Sequence, residues 1–202
     1  MTHHGPSALS AAEARARLEE GNARFTSARP APRELGEARR HELAEHGQHP
    51  FAVVITCSDS RVPPELIFDQ ALGDIFVVRV AGNVLDEVAM GSVEYGAEHL
   101  GVPLVVVLGH EKCGAVKATV DGGEAPGSIG AIVERIRPAA DRARATGATG
   151  EELYEKTTDE NIRQVVAAVC ASPVIRHLQE HGALSVLGAK YWLSSGTVTF
   201  LD

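Results

Sequence analysis

Apolar positions along this chain fall into two unlike rhythms. Three short runs are rich in β-branched residues and almost wholly apolar: 51–56 (Phe51-Ala52-Val53-Val54-Ile55-Thr56), 104–108 (Leu104-Val105-Val106-Val107-Leu108), and 75–80, which Arg79 interrupts. Runs without a polar face predict strands buried on both sides, as in a parallel sheet covered by helices. Elsewhere apolar residues return every three or four positions, which predicts helices over 88–100, 113–120, 129–145, 151–170 and 173–180. Segment 10–25 opens with Ser10 and has Glu13 three positions later, a capping box. A polar helix is expected over 34–46, and Pro63-Pro64 opens a short one. The tail, 185–193 and 197–201 around Ser194-Ser195-Gly196, predicts a strand and hairpin. The order implies an α/β fold: a mainly parallel β-sheet flanked by helices, with an N-terminal helical arm and a C-terminal strand and hairpin. Helix 10–25 has few apolar contacts, Leu18 and Phe25 chief among them, so it needs something larger to pack on, another subunit being one candidate.

A chain of 202 residues suits one domain over 1–202, divided into an arm (1–47) and an α/β core (48–202). Its 44% hydrophobic and 23% charged residues fit a globular protein. A net charge of −8 with no Lys/Arg run argues against a nucleic-acid partner. The longest apolar stretch, near 102–108, is strand-sized, so no membrane span is expected. The first ten residues lack the apolar centre of a secretory signal. Three cysteines, Cys57, Cys113 and Cys170, make no disulfide framework and fit a reducing, cytoplasmic setting.

The candidate chemistry sits at two strand ends. Cys57-Ser58-Asp59-Ser60-Arg61 follows the first run, and His110-Glu111-Lys112-Cys113 follows the third. The carboxyl edge of an open α/β sheet is the usual ligand crevice. Two thiols and an imidazole suit zinc with one position left open, the catalytic pattern. A single strand-end cysteine is ordinarily a small core residue, and Cys170 has that reading. His110 and Cys113 differ: they lie three residues apart, as in one helical turn, and Cys113 opens a helix whose N-terminus favours thiolate. The other eight histidines (His3, His4, His41, His46, His49, His99, His177, His181) show no such pattern. Asp59 and Arg61 share one side of an extended segment. They form either a structural ion pair or a bidentate pair in which Arg61 holds Asp59 ionised. In the second case Asp59 either accepts a hydrogen bond from a metal-bound hydroxide or takes the open position itself. A thiol redox protein is disfavoured because no Cys-x-x-Cys occurs. A non-catalytic zinc-binding protein is the rival of another class, and Asp59 and Arg61 beside an incomplete ligand set argue against it.

The run from Cys57 to Pro63 resembles the first signature of the β-class carbonic anhydrases, and His110-Glu111-Lys112-Cys113-Gly114-Ala115 is similar to the second. Segments 21–25, 73–79, 92–95 and 196–201 resemble other parts of the family. The resemblance implies zinc held by Cys57, His110 and Cys113, with Asp59 and Arg61 as a catalytic dyad. It implies reversible hydration of carbon dioxide to bicarbonate and a proton by zinc-bound hydroxide. It also implies a homodimer or tetramer whose N-terminal helices embrace the neighbour. The plant-like subtype lines its pocket with Gln, Phe and Tyr, matched by Gln48, Phe76 and Tyr95, and with a Val where this chain has Ala81. Another subtype builds an extra bicarbonate site on a Trp three residues before the first Cys. Val54 stands there, although Arg79 matches that site's Arg, so no regulatory anion site is expected. The nearest alternative on the same fold is a carbon disulfide or carbonyl sulfide hydrolase. Two thiolates cancel the charge of Zn²⁺, so bound water should be less acidic than under three imidazoles, where its pKa is about 7. Activity is therefore expected to rise with pH above neutrality.

Overall fold

Continuous β-branched runs do become the middle of a sheet. In the computed structural model, which describes residues 9–201, five strands lie in the order β2-β1-β3-β4-β5. Strands β1 (Ala52–Thr56), β2 (Ile75–Arg79), β3 (Leu104–His110) and β4 (Ser185–Tyr191) run parallel, and β5 (Val198–Leu201) pairs antiparallel to β4. Every residue of β1 and β3 is buried, whereas the edge strand β2 is partly exposed. Residues 1–8 of the expected arm, including His3 and His4, and Asp202 lie outside the described residues.

The pleat sorts side chains between two cores. Val53, Ile55, Val105 and Val107 face one, completed by α4 (Glu87–Glu94), α7 (Gly150–Ala171) and α8 (Pro173–Glu180). Ala52, Val54, Leu104, Val106 and Leu108 face the other, completed by α1 (Ala11–Thr26) and α3 (Pro64–Ile67). The polar helix α2 (Glu37–His46) buries nothing. Helices α5 (Gly114–Asp121) and α6 (Ile129–Ala145) close the fold beside α7.

Most predicted spans stand, with instructive exceptions. The capping box of α1 forms as expected, with Ser10 and Glu13 bonded in both directions. Its buried face is Ala14, Leu18, Gly21 and Asn22, with Ala14 and Leu18 against its own sheet, while Phe25 is 37% exposed. The helix expected to run to Leu100 stops at Glu94 and widens into a π turn, Tyr95–His99. That turn buries Ala97 and leaves Tyr95 47% exposed. Cys170 is half-buried on α7 rather than in the core.

The topology singles out one place for chemistry. After β1 the chain passes through α3 on one face to β2, and after β3 it passes through α7 on the other face to β4. Neighbouring strands β1 and β3 therefore send their connections to opposite sides. Such a switch point opens a crevice at the carboxyl ends of those two strands. Cys57 immediately follows β1, and His110 is the last residue of β3.

Candidate metal centre

At the end of β3 the chain must reverse sharply to start α5. Lys112 accomplishes this with φ 54°, a left-handed conformation that a lysine adopts only under constraint. The reversal makes Cys113 the N-cap residue of α5 and returns it beside His110. The expected helical turn between His110 and Cys113 is thus a tight strand-to-helix turn, because β3 extends through His110 itself. Cys57 arrives from β1, and the donor atoms of Cys57, His110 and Cys113 all lie within 4.8 Å of one another. Among the described residues this is the one trio of His, Cys, Asp or Glu donors that converges so closely.

The donor chemistry fits a soft divalent cation. His110 is fully buried, and its Nδ1 lies 2.8 Å from the Glu111 carbonyl oxygen. That oxygen can only accept, so Nδ1 carries the hydrogen and Nε2 presents a lone pair. Nε2 has no hydrogen-bond partner in the protein despite its burial. A buried acceptor without a partner is costly unless a cation meets it. The Cys57 thiol is held well below the usual thiol range, first by its hydrogen bond with Cys113 and against the cost of burial. The Gly82 amide, which donates to Cys57 Sγ, adds to that pull. Cys113 is pushed up, first by the same bond with Cys57 and then by burial. A zinc ion held by these residues would ionise both sulfurs, since metal-coordinated thiols lose their protons.

Asp59 and Arg61 form the bidentate pair that their spacing allowed. Arg61 Nε donates to Asp59 Oδ1 at 2.9 Å and Nη2 donates to Oδ2 at 2.8 Å, with the Arg61 backbone N–H also donating to Oδ1 at 2.9 Å. The Arg61 guanidinium pushes the Asp59 carboxyl down to about 2. Asp59 Oδ2 is 3.9 Å from His110 Nε2, so this carboxylate borders the donor cluster while remaining engaged with Arg61.

Two residues shape the site in ways their sequence did not suggest, Arg79 having matched only the Arg of a different, anion-binding site. Arg79 ends β2 and donates through Nε to the Cys57 carbonyl at 3.0 Å and through Nη2 to the Asp59 carbonyl at 2.6 Å. It pins the loop between ligand and carboxylate. Gly82 donates its backbone N–H to Cys57 Sγ at 3.2 Å. The only available signal was the small-residue run Ala81-Gly82-Asn83 directly after a strand.

The expected pocket residues divide. Ala81 lies in the 3-10 turn Ala81–Asn83, beside Cys57. Phe76 is in register with Val53, four residues before Cys57, so about 13 Å separates them along the strand. Tyr95 stacks with Phe76, ring centroids 6.1 Å apart, and Gln48 precedes β1 altogether. Within one protomer these three lie toward the opposite end of the strands from the donor cluster.

An open α/β sheet with an S, N, S donor set at its switch point and a clamped carboxylate beside it defines a zinc enzyme of hydrolytic or hydrating type. Residues 52–198 match the family described as carbonic anhydrase. The chain is 42% identical to the carbonic anhydrase of Mycolicibacterium smegmatis over 186 residues, covering 90% of this chain and 88% of that protein. It is 40% identical to carbonic anhydrase 2 of Mycobacterium tuberculosis over 190 residues, covering 92% and 90%. Its fold superposes on a β-carbonic anhydrase from Coccomyxa, solved with acetazolamide, with a TM-score of 0.73 and 30% identity over 82% of this chain and 78% of that one. The chain belongs to the carbonic anhydrase family, in its β class.

Proposed function

We propose that this chain hydrates carbon dioxide reversibly to bicarbonate and a proton at a site assembled from Cys57, His110, Cys113, Asp59 and Arg61. The observation that carries this is the buried, partnerless His110 Nε2 converging with two thiols, next to a carboxylate already clamped by arginine. Zinc held there supplies a Lewis acid that makes water a nucleophile near neutral pH. Asp59 accepts a hydrogen bond from the attacking oxygen and so aims its free lone pair at the carbon of carbon dioxide. Arg61 keeps Asp59 ionised, which prevents the carboxyl from donating instead. Family membership at 40–42% identity to named carbonic anhydrases favours the hydratase over a carbon disulfide hydrolase. Stopped-flow measurement of proton release on mixing with carbon dioxide tests the reading, and no rate above the buffer background ends it.

The pH dependence separates the parts. Asp59, depressed to about 2, is ionised throughout the neutral range, and the stability its pair lends is lost only as pH falls through that value. A rise of turnover above neutrality therefore belongs to the donor set, whose two thiolates offset the cation's charge. Profiles recorded between about pH 6 and 9 should climb; a flat profile contradicts this.

The pocket belongs to a homodimer of the plant-like subtype. Gln48, Phe76 and Tyr95 lie away from the donor cluster of their own protomer, so a second copy related by two-fold symmetry is what brings such residues to it. There Gln48 donates to a substrate oxygen, while Phe76, Tyr95 and the Ala81 of the same chain as the metal form a dry wall for a nonpolar substrate. The commitment of Arg79 to two loop carbonyls supports the absence of a regulatory anion site. The three cysteines are free, which fits a reducing compartment, and we place the protein in the cytoplasm. Mixing a Cys57→Ser chain with a Gln48→Ala/Tyr95→Ala chain tests the shared pocket. Each alone should be nearly inactive, while random re-pairing should restore about a quarter of wild-type activity, one working site in half of the dimers. No recovery after verified subunit exchange would place the pocket within one protomer.

A further inference from the structure

Helix α7 reaches the metal end of the sheet because β3 is bare there. A Cβ on Gly109 would lie 2.6 Å from the Ile162 side chain, so α7 packs on the strand backbone one residue before His110. This seating carries the neighbouring Asn161 to the turn behind Cys57. Asn161 is 1% exposed, and its Nδ2 donates to the Gly82 carbonyl at 2.9 Å across 79 residues of sequence. Gly82 has φ 71° and ψ 17°, and a Cβ there would meet Ile136 Cδ1 at 2.7 Å. Both backbone polar groups of Gly82 are thereby engaged: the carbonyl accepts from Asn161, and the N–H donates to Cys57 Sγ at 3.2 Å.

We propose that Asn161 is a positioning residue of the metal centre, holding Gly82 in its left-handed conformation so that the Gly82 N–H bonds to Cys57 Sγ. The proposal rests on the reading of Cys57, His110 and Cys113 as the metal ligands. A hydrogen bond to a ligating sulfur draws electron density from it, and groups behind a ligand tune both affinity and acidity of a metal site. The bond opposes the damping of acidity that two thiolates otherwise impose. Asn161 touches neither metal nor substrate; its effect runs through one backbone amide.

Cobalt(II) substituted into the full-length protein reads the sulfur directly, through its thiolate-to-cobalt charge-transfer absorption. Asn161→Leu, alike in branching but without a donor, should move that band to lower energy and weaken cobalt affinity about 10-fold in chelator competition. Val165→Ala, one turn along the same buried face, loosens packing without touching the bond and should leave the band in place. Should Asn161→Leu fail to fold, Asn161→Ala removes the donor without adding bulk. An unshifted band in either folded variant overturns the proposal. Should neither fold, wild-type protein loaded with cadmium-113 decides. There the Gly82 amide proton should show scalar coupling to the metal, with the Asn161 side-chain amide shielded from exchange, and absence of either overturns it. Wild type that takes up no cobalt defeats instead the assignment of the three ligands.

Discussion

Cys57→Ser is expected to remove zinc and turnover together. Serine keeps the size of the side chain, so the packing of position 57 with Val84, Val116 and Ile136 should survive. What changes is the donor: a buried hydroxyl does not ionise near neutrality and is a harder ligand than thiolate. Only His110 and Cys113 would remain, two donors where a catalytic zinc takes three. Gly82 would also lose the sulfur that accepts its N–H. Elemental analysis of the purified variant should find below about a tenth of a zinc per chain, and stopped-flow rates should fall to background. Thermal melts give an independent check, because a metal that binds only the folded chain stabilises it by linkage. A chelator should lower the wild-type transition and leave that of Cys57→Ser where it is. Full zinc occupancy in the variant would remove Cys57 from the ligand set and the catalytic reading with it.

What could be seen in the sequence depended on whether the determining force was local. Strands β1 and β3 were legible because burial on both faces demands unbroken apolar runs, and Val53-Val54-Ile55 and Val105-Val106-Val107 admit little else. The capping box at Ser10 and Glu13 was legible for the same reason, since three residues contain the whole interaction. The convergence of Cys57, His110 and Cys113 was legible through strand-end placement. The geometry that unites them was not: a helical turn from His110 to Cys113 gave way to a left-handed Lys112, because β3 keeps its pairing with β4 through His110. Asn161 left no trace at all, since an asparagine inside an amphipathic helix looks like any solvated one until Gly109 lets α7 approach. Gln48, Phe76 and Tyr95 show a third kind of limit. A motif can suggest which residues line a pocket, while strand register shows that one protomer does not bring Phe76 to the donor cluster.

Asp59→Asn is expected to separate catalysis from metal binding. All three donors stay in place, so the variant should carry as much zinc as wild type. The change falls on the carboxylate. Arg61 offers two parallel donors, Nε and Nη2, to two carboxylate oxygens. An asparagine can meet only one of them with its oxygen; its NH₂ would face the other, donor against donor. The amide must then turn, and the group bordering the donor cluster becomes an NH₂ that donates where an acceptor is needed. Turnover should fall about 10²–10³-fold, the usual cost of losing one positioned polar group at a reacting atom. Stability should hardly move. The Arg61 side chain is 52% exposed, and a solvated pair of that kind contributes about 1 kcal/mol or less. Arg61→Lys supplies the intermediate case, keeping the charge but not the fork, and should lose less activity than Asp59→Asn. Zinc content, melting temperature and kcat measured on the same preparations discriminate the roles. A folded, fully zinc-loaded Asp59→Asn with wild-type kcat would reduce Asp59 and Arg61 to a brace for the loop behind Cys57. A collapse of kcat with metal and stability intact makes the carboxylate the group that orients the attacking oxygen.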